Sequence, residues 1–176
     1  MESRVFLGPV ADAVHLALDD EWFADEDMNY RMGFGKGFLG VGKAQSTLGD
    51  MLSDISYGIY KGTSPIGFVR LSHGSPESRT VKLWMFINPK FRRQGIGSAA
   101  MEEVLTKVFT EDISRVEIEA LKINEQAVSF LRSFGFTQEG KKEGAHYMHG
   151  DAYTVFPFRM LKKHWKKRLR LKAKAS

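Results

Sequence analysis

The segment Arg92-Arg93-Gln94-Gly95-Ile96-Gly97-Ser98 sets two guanidinium groups and two glycines close together, shortly after the apolar run 83–87 and Pro89. Glycine lets a backbone come close to a ligand, and a helix starting there aims its unpaired N–H groups outward. Arginine matches phosphate oxygens in charge and geometry. The spacing predicts a phosphate-binding junction between a strand and a helix. A Gly-x-Gly pair alone equally suits a tight turn, so the reading draws on its surroundings. Further along, Glu117 and Glu119 alternate with Val116, Ile118 and Ala120. In a strand, that pattern puts both carboxylates on one face. Carboxylates so close repel, which suits one of them to accept a proton. The same pattern also describes the solvated face of an amphipathic strand.

Two other patterns carry less. Gly35-Lys36-Gly37-Phe38-Leu39-Gly40 fits the dinucleotide fingerprint, yet no strand pattern precedes it, no helix pattern follows it, and no acid stands about 20 residues on. It reads as part of a glycine-rich loop over 32–42. His146-x-x-His149 sits in a turn-like stretch with only Asp151 as an acid beside it, so no metal is expected there. The chain has no cysteine, which excludes disulfides, cysteine-bound zinc and a thiol nucleophile.

The elements that would position these residues follow from periodicity and turn chemistry. Residues 4–10 read as a first strand, and 11–24 as partly helical. Runs 55–62 and 64–72 alternate around Gly62-Thr63-Ser64-Pro65 and predict a hairpin. Residues 80–89 read as a strand ended by proline, 94–109 as an amphipathic helix and 113–121 as a strand. Residues 124–136 read as a short helix stopped at Gly135, and 153–160 as a strand in which Pro157 predicts an edge or a bulge. This order gives an α/β (α+β) domain with a mixed sheet.

Arg92-x-x-Gly95-x-Gly97 resembles the pyrophosphate-binding motif of the GNAT superfamily of acetyl-CoA-dependent N-acetyltransferases. Asn124-x-x-Ala127 followed by Gly135-Phe136 is similar to the family's second cofactor segment. The resemblance spans about residues 55–160, and its ribosomal-protein N-terminal acetyltransferase branch is nearest in character. It implies that the cosubstrate is acetyl-CoA, with Arg92 to Ser98 around its pyrophosphate, Asn124 beside it, and the backbone of Phe86 and Ile87 along its pantetheine arm. It also implies that Glu119 is the general base, with Glu117 the alternative. Two family features are missing: a glutamate on the strand before the phosphate loop falls at Lys82, and the tyrosine that protonates the leaving thiolate falls at Leu131. Ser129, Ser133, Tyr147, Tyr153 or water remain as proton donors.

In this resemblance, the segment after the first strand walls the acceptor cleft. Residues 19–28, DDEWFADEDM, hold six acids there, which favours a cationic acceptor: a basic peptide, a lysine or a polyamine. Trp22 and Phe23 would line the wall or anchor a helix. A solvated acidic face is the plainer alternative.

Length and composition fit one globular domain, with 43% hydrophobic and 27% charged residues. The net charge of +5 is unevenly spread. Residues 161–176 hold eight Lys/Arg and no acid, so residues 1–160 carry 18 basic and 21 acidic side chains, a net of −3. The expected division is therefore an acetyltransferase domain, 1–160, and a basic C-terminal tail, 161–176, able to contact ribosome or nucleic acid. No segment reads as a membrane span or signal peptide, and a cytoplasmic monomer or homodimer is expected. Two alternatives stand beside the enzyme: an acyltransferase acting on nucleic acid or a tRNA- or ribosome-bound substrate, and a non-catalytic CoA-binding module.

Overall fold

The computed structural model describes residues 4–9, 26–32 and 56–175. The expected helix over 11–24, the acidic stretch as far as residue 25 with Trp22 and Phe23, and the glycine loop from residue 33 lie outside these residues.

Among the described residues, eight strands form one sheet: β1 (Val5–Gly8), β2 (Ser56–Lys61), β3 (Ser64–His73), β4 (Thr80–Ile87), β5 (Arg115–Leu121), β6 (Thr137–Gln138), β7 (Lys142–Met148) and β8 (Asp151–Leu161). Their order is β1-β2-β3-β4-β5-β8-β6, with β7 also on β8. Every pairing is antiparallel except β4 with β5. Four helices are described: α1 (Glu26–Arg31), α2 (Ile96–Thr110), α3 (Glu125–Phe134) and α4 (Lys162–Ala175). The chain is thus a single α/β domain whose mixed, mostly antiparallel sheet carries helices.

Residues paired across the sheet share a face, so the register sorts side chains. Val69, Leu83, Val116 and Phe158 lie on one face. They pack with Met101 and Val104 of α2, Val128 and Leu131 of α3, and Trp165 of α4. Phe68, Trp84, Phe86, Lys82, Glu117 and Arg159 occupy the opposite face. Phe68, Trp84 and Phe86 cluster there, with ring centroids 5.5–6.3 Å apart.

The β2–β3 hairpin and strands β4, β5 and β8 lie where their alternation predicts them. Asn124 starts α3 by accepting the Ala127 N–H, and Gly135 ends it at φ 105°, in the left-handed region. Pro157 marks the place where the outer partner of β8 changes, from β6 at 158–159 to β7 at 151–155. It is therefore tolerated inside a sheet without lying on an edge strand.

The segment expected as a basic tail is helical. Leu161 still belongs to β8, and α4 follows directly. Trp165 is 2% exposed in the core and stacks on Phe134 at 6.2 Å. Arg168 lies over the same ring at 4.5 Å. A solvated extension would leave its one tryptophan in water; here that residue binds the helix to the domain.

Candidate active site

Parallel pairing of β4 with β5 covers only Thr80–Lys82 against Arg115–Glu117. Past that point β4 runs on to Ile87 and β5 to Leu121 with no ladder between them, which opens a gap at their C-terminal ends. Antiparallel ladders alternate, with one residue pointing its backbone at the neighbour and the next pointing away. The Asn88 N–H donates to the Ile66 carbonyl at 2.9 Å, on the β3 side. Counting back, Phe86 also faces β3, whereas Met85 and Ile87 turn their N–H groups into the gap. Of the two backbone positions expected along the pantetheine arm, Ile87 offers its N–H there and Phe86 does not. Met85, which sequence reasoning missed, supplies a second gap-facing N–H; only the hydrogen-bond phase of the strand reveals it.

Arg92 closes the end of this gap. Its Nε donates to the Ile87 carbonyl at 2.8 Å, and its guanidinium lies 5.5 Å from the centre of the Phe86 ring. Asn88 starts the turn Pro89–Phe91 by accepting the Lys90 N–H, and Arg92 follows in extended conformation. Arg93 (φ 60°) and Gly95 (φ 75°) then take left-handed conformations, bringing the chain round into α2. No side chain caps this helix, whose first intrahelical bond runs from the Ala99 N–H to the Gly95 carbonyl. The N–H groups of Ile96, Gly97 and Ser98 thus have no partner within the helix. A Cβ built on Gly95 would meet nothing within 4 Å, so the space before the helix is open.

The sequence-predicted residues divide by role. Arg93, Gln94 and Ser98 are exposed around the loop, and the Gln94 side chain returns to the Lys90 carbonyl. Ile96 is 4% exposed in a core cluster with Ile59, Ile66 and Ile87, so only its backbone reaches the loop surface. Gly97 faces the Phe130 ring, 3.7 Å from where a Cβ would stand. Asn124 uses its Oδ1 on the α3 cap.

Glu117 and Glu119 share the face of β5 opposite α2 and α3, as their alternation predicts. Each has a cation of its own. Arg115 Nε meets Glu117 at 2.7 Å, and Lys142 Nζ meets Glu119 at 2.5 Å. The mutual repulsion expected of the two acids is therefore offset. The Glu119 hydrogen bond, then its charge, push the Lys142 ammonium pKa up. Arg115 also chelates Glu139, which in turn accepts from Arg159. The Arg115 hydrogen bonds hold the Glu139 carboxyl below its usual range. Arg115 stands two residues before Glu117 on β5 itself, whereas the Lys142–Glu119, Arg115–Glu139 and Arg159–Glu139 contacts join residues 20 or more apart, which local alternation does not show.

The position where the family's tyrosine would stand, Leu131, is 3% exposed in the core. Of the other candidate donors, Ser133 is bonded to the Phe130 carbonyl and Tyr147 is 72% exposed. Tyr153 shares a hydroxyl–hydroxyl hydrogen bond with Tyr30 of α1, ring to ring in a T at 5.6 Å. That bond is the main reason its pKa is pushed up to about 12. His146 lies on β7, and His149 sits in the β7–β8 turn at φ 52°.

This arrangement has relatives. The model of the Acetyltransferase (GNAT) family matches residues 21–136. "Putative ribosomal N-acetyltransferase YdaF" of Bacillus subtilis (strain 168) is 28% identical over 115 residues, which are 65% of this chain and 63% of that protein. The matched region thus spans under two thirds of that relative. Among solved structures, a probable acetyltransferase of the GNAT family from Chromobacterium violaceum ATCC 12472 superimposes with a TM-score of 0.82 at 21% identity, covering 94% of this chain and 87% of the other. The ribosomal L7/L12 α-N-protein acetyltransferase RimL, in complex with coenzyme A, gives 0.75 at 17% identity, covering 92% and 96%. With the family model matched over residues 21–136, about two thirds of the chain, and the same fold in both structures, the chain belongs to the GNAT acetyltransferase family.

Proposed function

We propose that this chain transfers an acetyl group from acetyl-CoA to a primary amine, most simply the N-terminal amine of a basic, ribosome-associated protein. The gap between β4 and β5, with an uncapped helix N-terminus at its end, carries this reading. The residues present fit the cosubstrate. Open space at Gly95 and the partnerless N–H groups of Ile96, Gly97 and Ser98 suit a pyrophosphate. The Met85 and Ile87 N–H groups suit the amides of a pantetheine arm lying where a strand would otherwise pair. Arg93 adds exposed positive charge beside the loop.

Acetyl-CoA supplies the activated acyl group; the amine nitrogen bonds to the carbonyl carbon, and the carbon–sulfur bond breaks. The chain's part is to hold, orient and move protons. A gap-facing N–H at Met85 or Ile87 would donate to the thioester oxygen as charge builds there. Glu119 would take a proton from the acceptor's ammonium so that the neutral amine attacks, and the second proton would leave to water or to the departing coenzyme A thiolate. Glu119 already holds an ammonium, that of Lys142, and an acceptor amine would replace it. Positioning of the two substrates supplies much of the remaining rate. The acceptor class rests on two supports: the carboxylates on this face, and the similarity to proteins named for ribosomal N-acetylation.

The test is a thiol-release assay with acetyl-CoA and two forms of one basic peptide, with a free or a blocked α-amine. Thiol release with an acetyl group on the free α-amine supports the proposal. Modification of lysine alone would redirect the acceptor class, and no thiol release with any amine would remove the transferase reading.

A further inference from the structure

Helix α4 carries more positive charge than its packing uses. Lys162 Nζ binds the Glu111 carbonyl, and Arg168 and Lys172 reach Glu102 at 4.0 and 2.7 Å. These three cations and Trp165 lie on the side turned to the domain. Lys163, Lys166, Lys167, Arg170 and Lys174 are exposed, and none meets an acid among the described residues. At 100° per residue, positions 163, 167, 170 and 174 fall in one narrow stripe. Their steps of four, three and four residues correspond to about 6, 4.5 and 6 Å of axial rise. Like charges at such spacing repel along a helix. Nothing on the described surface compensates them, yet burial of Trp165 keeps the helix in place.

A straight, rigid row of cations at that spacing complements a row of phosphates. It does not suit a lipid surface, because interfacial helices need an apolar face beside the charged one. Here the apolar side is spent on the core, and the exposed Leu169 and Leu171 project about 160° apart around the axis. We infer that the Lys163–Lys167–Arg170–Lys174 stripe docks on the phosphate backbone of structured RNA. The backbone contact follows from the stripe itself; RNA as its source rests on the ribosome-associated acceptor proposed above.

The experiment measures binding of the full chain to a fluorescent RNA duplex across a salt series. The comparison is a variant in which Lys163, Lys167, Arg170 and Lys174 are all changed to Gln. A matched DNA duplex and anionic phosphatidylglycerol vesicles are the other arms. The wild type should bind RNA with a log–log salt slope of about −3 to −4, near 0.9 per phosphate contact. The variant should lose at least about tenfold in affinity at low salt and most of that slope. It should keep its affinity for acetyl-CoA, which shows that it is folded. Equal RNA binding by the variant, a flat salt dependence, or tighter binding to vesicles would overturn the inference. DNA competing on equal terms would overturn RNA as the source. Peptide acetylation, followed in parallel without RNA, tests the acceptor separately, so either reading can fail while the other stands.

Discussion

Glu119 and Tyr153 show how much a residue's neighbours decide. A carboxylate half-exposed and paired with Lys142 is a base only if the acceptor takes the lysine's place. Glu119→Gln should therefore lower kcat by about 10²-fold or more, the usual contribution of a general base. The calorimetric affinity for acetyl-CoA should stay unchanged; an unaltered rate and pH profile would remove Glu119 from the chemistry. Tyr153 tests the docking of α1. With its pKa raised to about 12 by Tyr30, the hydroxyl pair contributes stability that is complete below pH 10.0, the ordinary tyrosine value, and is lost as pH rises through about 12. Spectroscopic titration of tyrosinate should find one late-ionising tyrosine, and Tyr30→Phe should return it toward 10.0. If no tyrosine ionises late in the wild type, the hydroxyl contact is absent in solution.

Strands β3 and β4 must approach closely for the gap to form where it does. A Cβ on Gly67 would stand 2.2 Å from the Phe86 carbonyl oxygen, which is backbone and cannot swing aside. Gly67→Ala should cost about 1–3 kcal/mol, the range for overpacking, read as a lower urea midpoint. It should also weaken acetyl-CoA binding, because the displaced segment carries Met85 and Ile87. A midpoint equal to wild type would mean that the strands lie further apart. At this level the sequence was readable wherever alternation was strong. The β2–β3 hairpin, β4, β5, α2 and α3 all fall within a few residues of their patterns, and the Asn124 cap and Gly135 stop were explicit. β7 was not readable: KEGAHYM breaks its alternation at Gly144, which takes φ 61°, and its register to β8 slips between Lys142 and His146. The same slip hid Lys142 as the partner of Glu119. The candidate phosphate loop was legible because glycine and arginine act locally there. The N–H groups facing the gap were not, since their direction depends on which side β3 pairs.

Across the whole molecule, the C-terminal segment changes most between sequence and structure. Eight cations in sixteen residues read as a basic tail, yet one buried tryptophan packs them against the domain as a helix. Trp165→Ala should cost about 3–5 kcal/mol, the range for emptying a large aromatic site, measured by urea denaturation. A cost under about 0.5 kcal/mol, typical of surface sites, would return 161–176 to a tail. The site draws its parts from β4, β5, α2 and α3, and the central claim is that the start of α2 holds the pyrophosphate. Gly97→Glu tests it directly. The new Cβ would make only ordinary contact with Phe130, and a carboxylate near a helix N-terminus favours the helix, so the fold should persist. Calorimetric titration of acetyl-CoA into the wild type should show saturable binding, and into Gly97→Glu a loss of at least about 100-fold, roughly 2.7 kcal/mol. Equal affinity in the two proteins would contradict the account, placing the phosphates somewhere other than the Arg92–Ser98 loop.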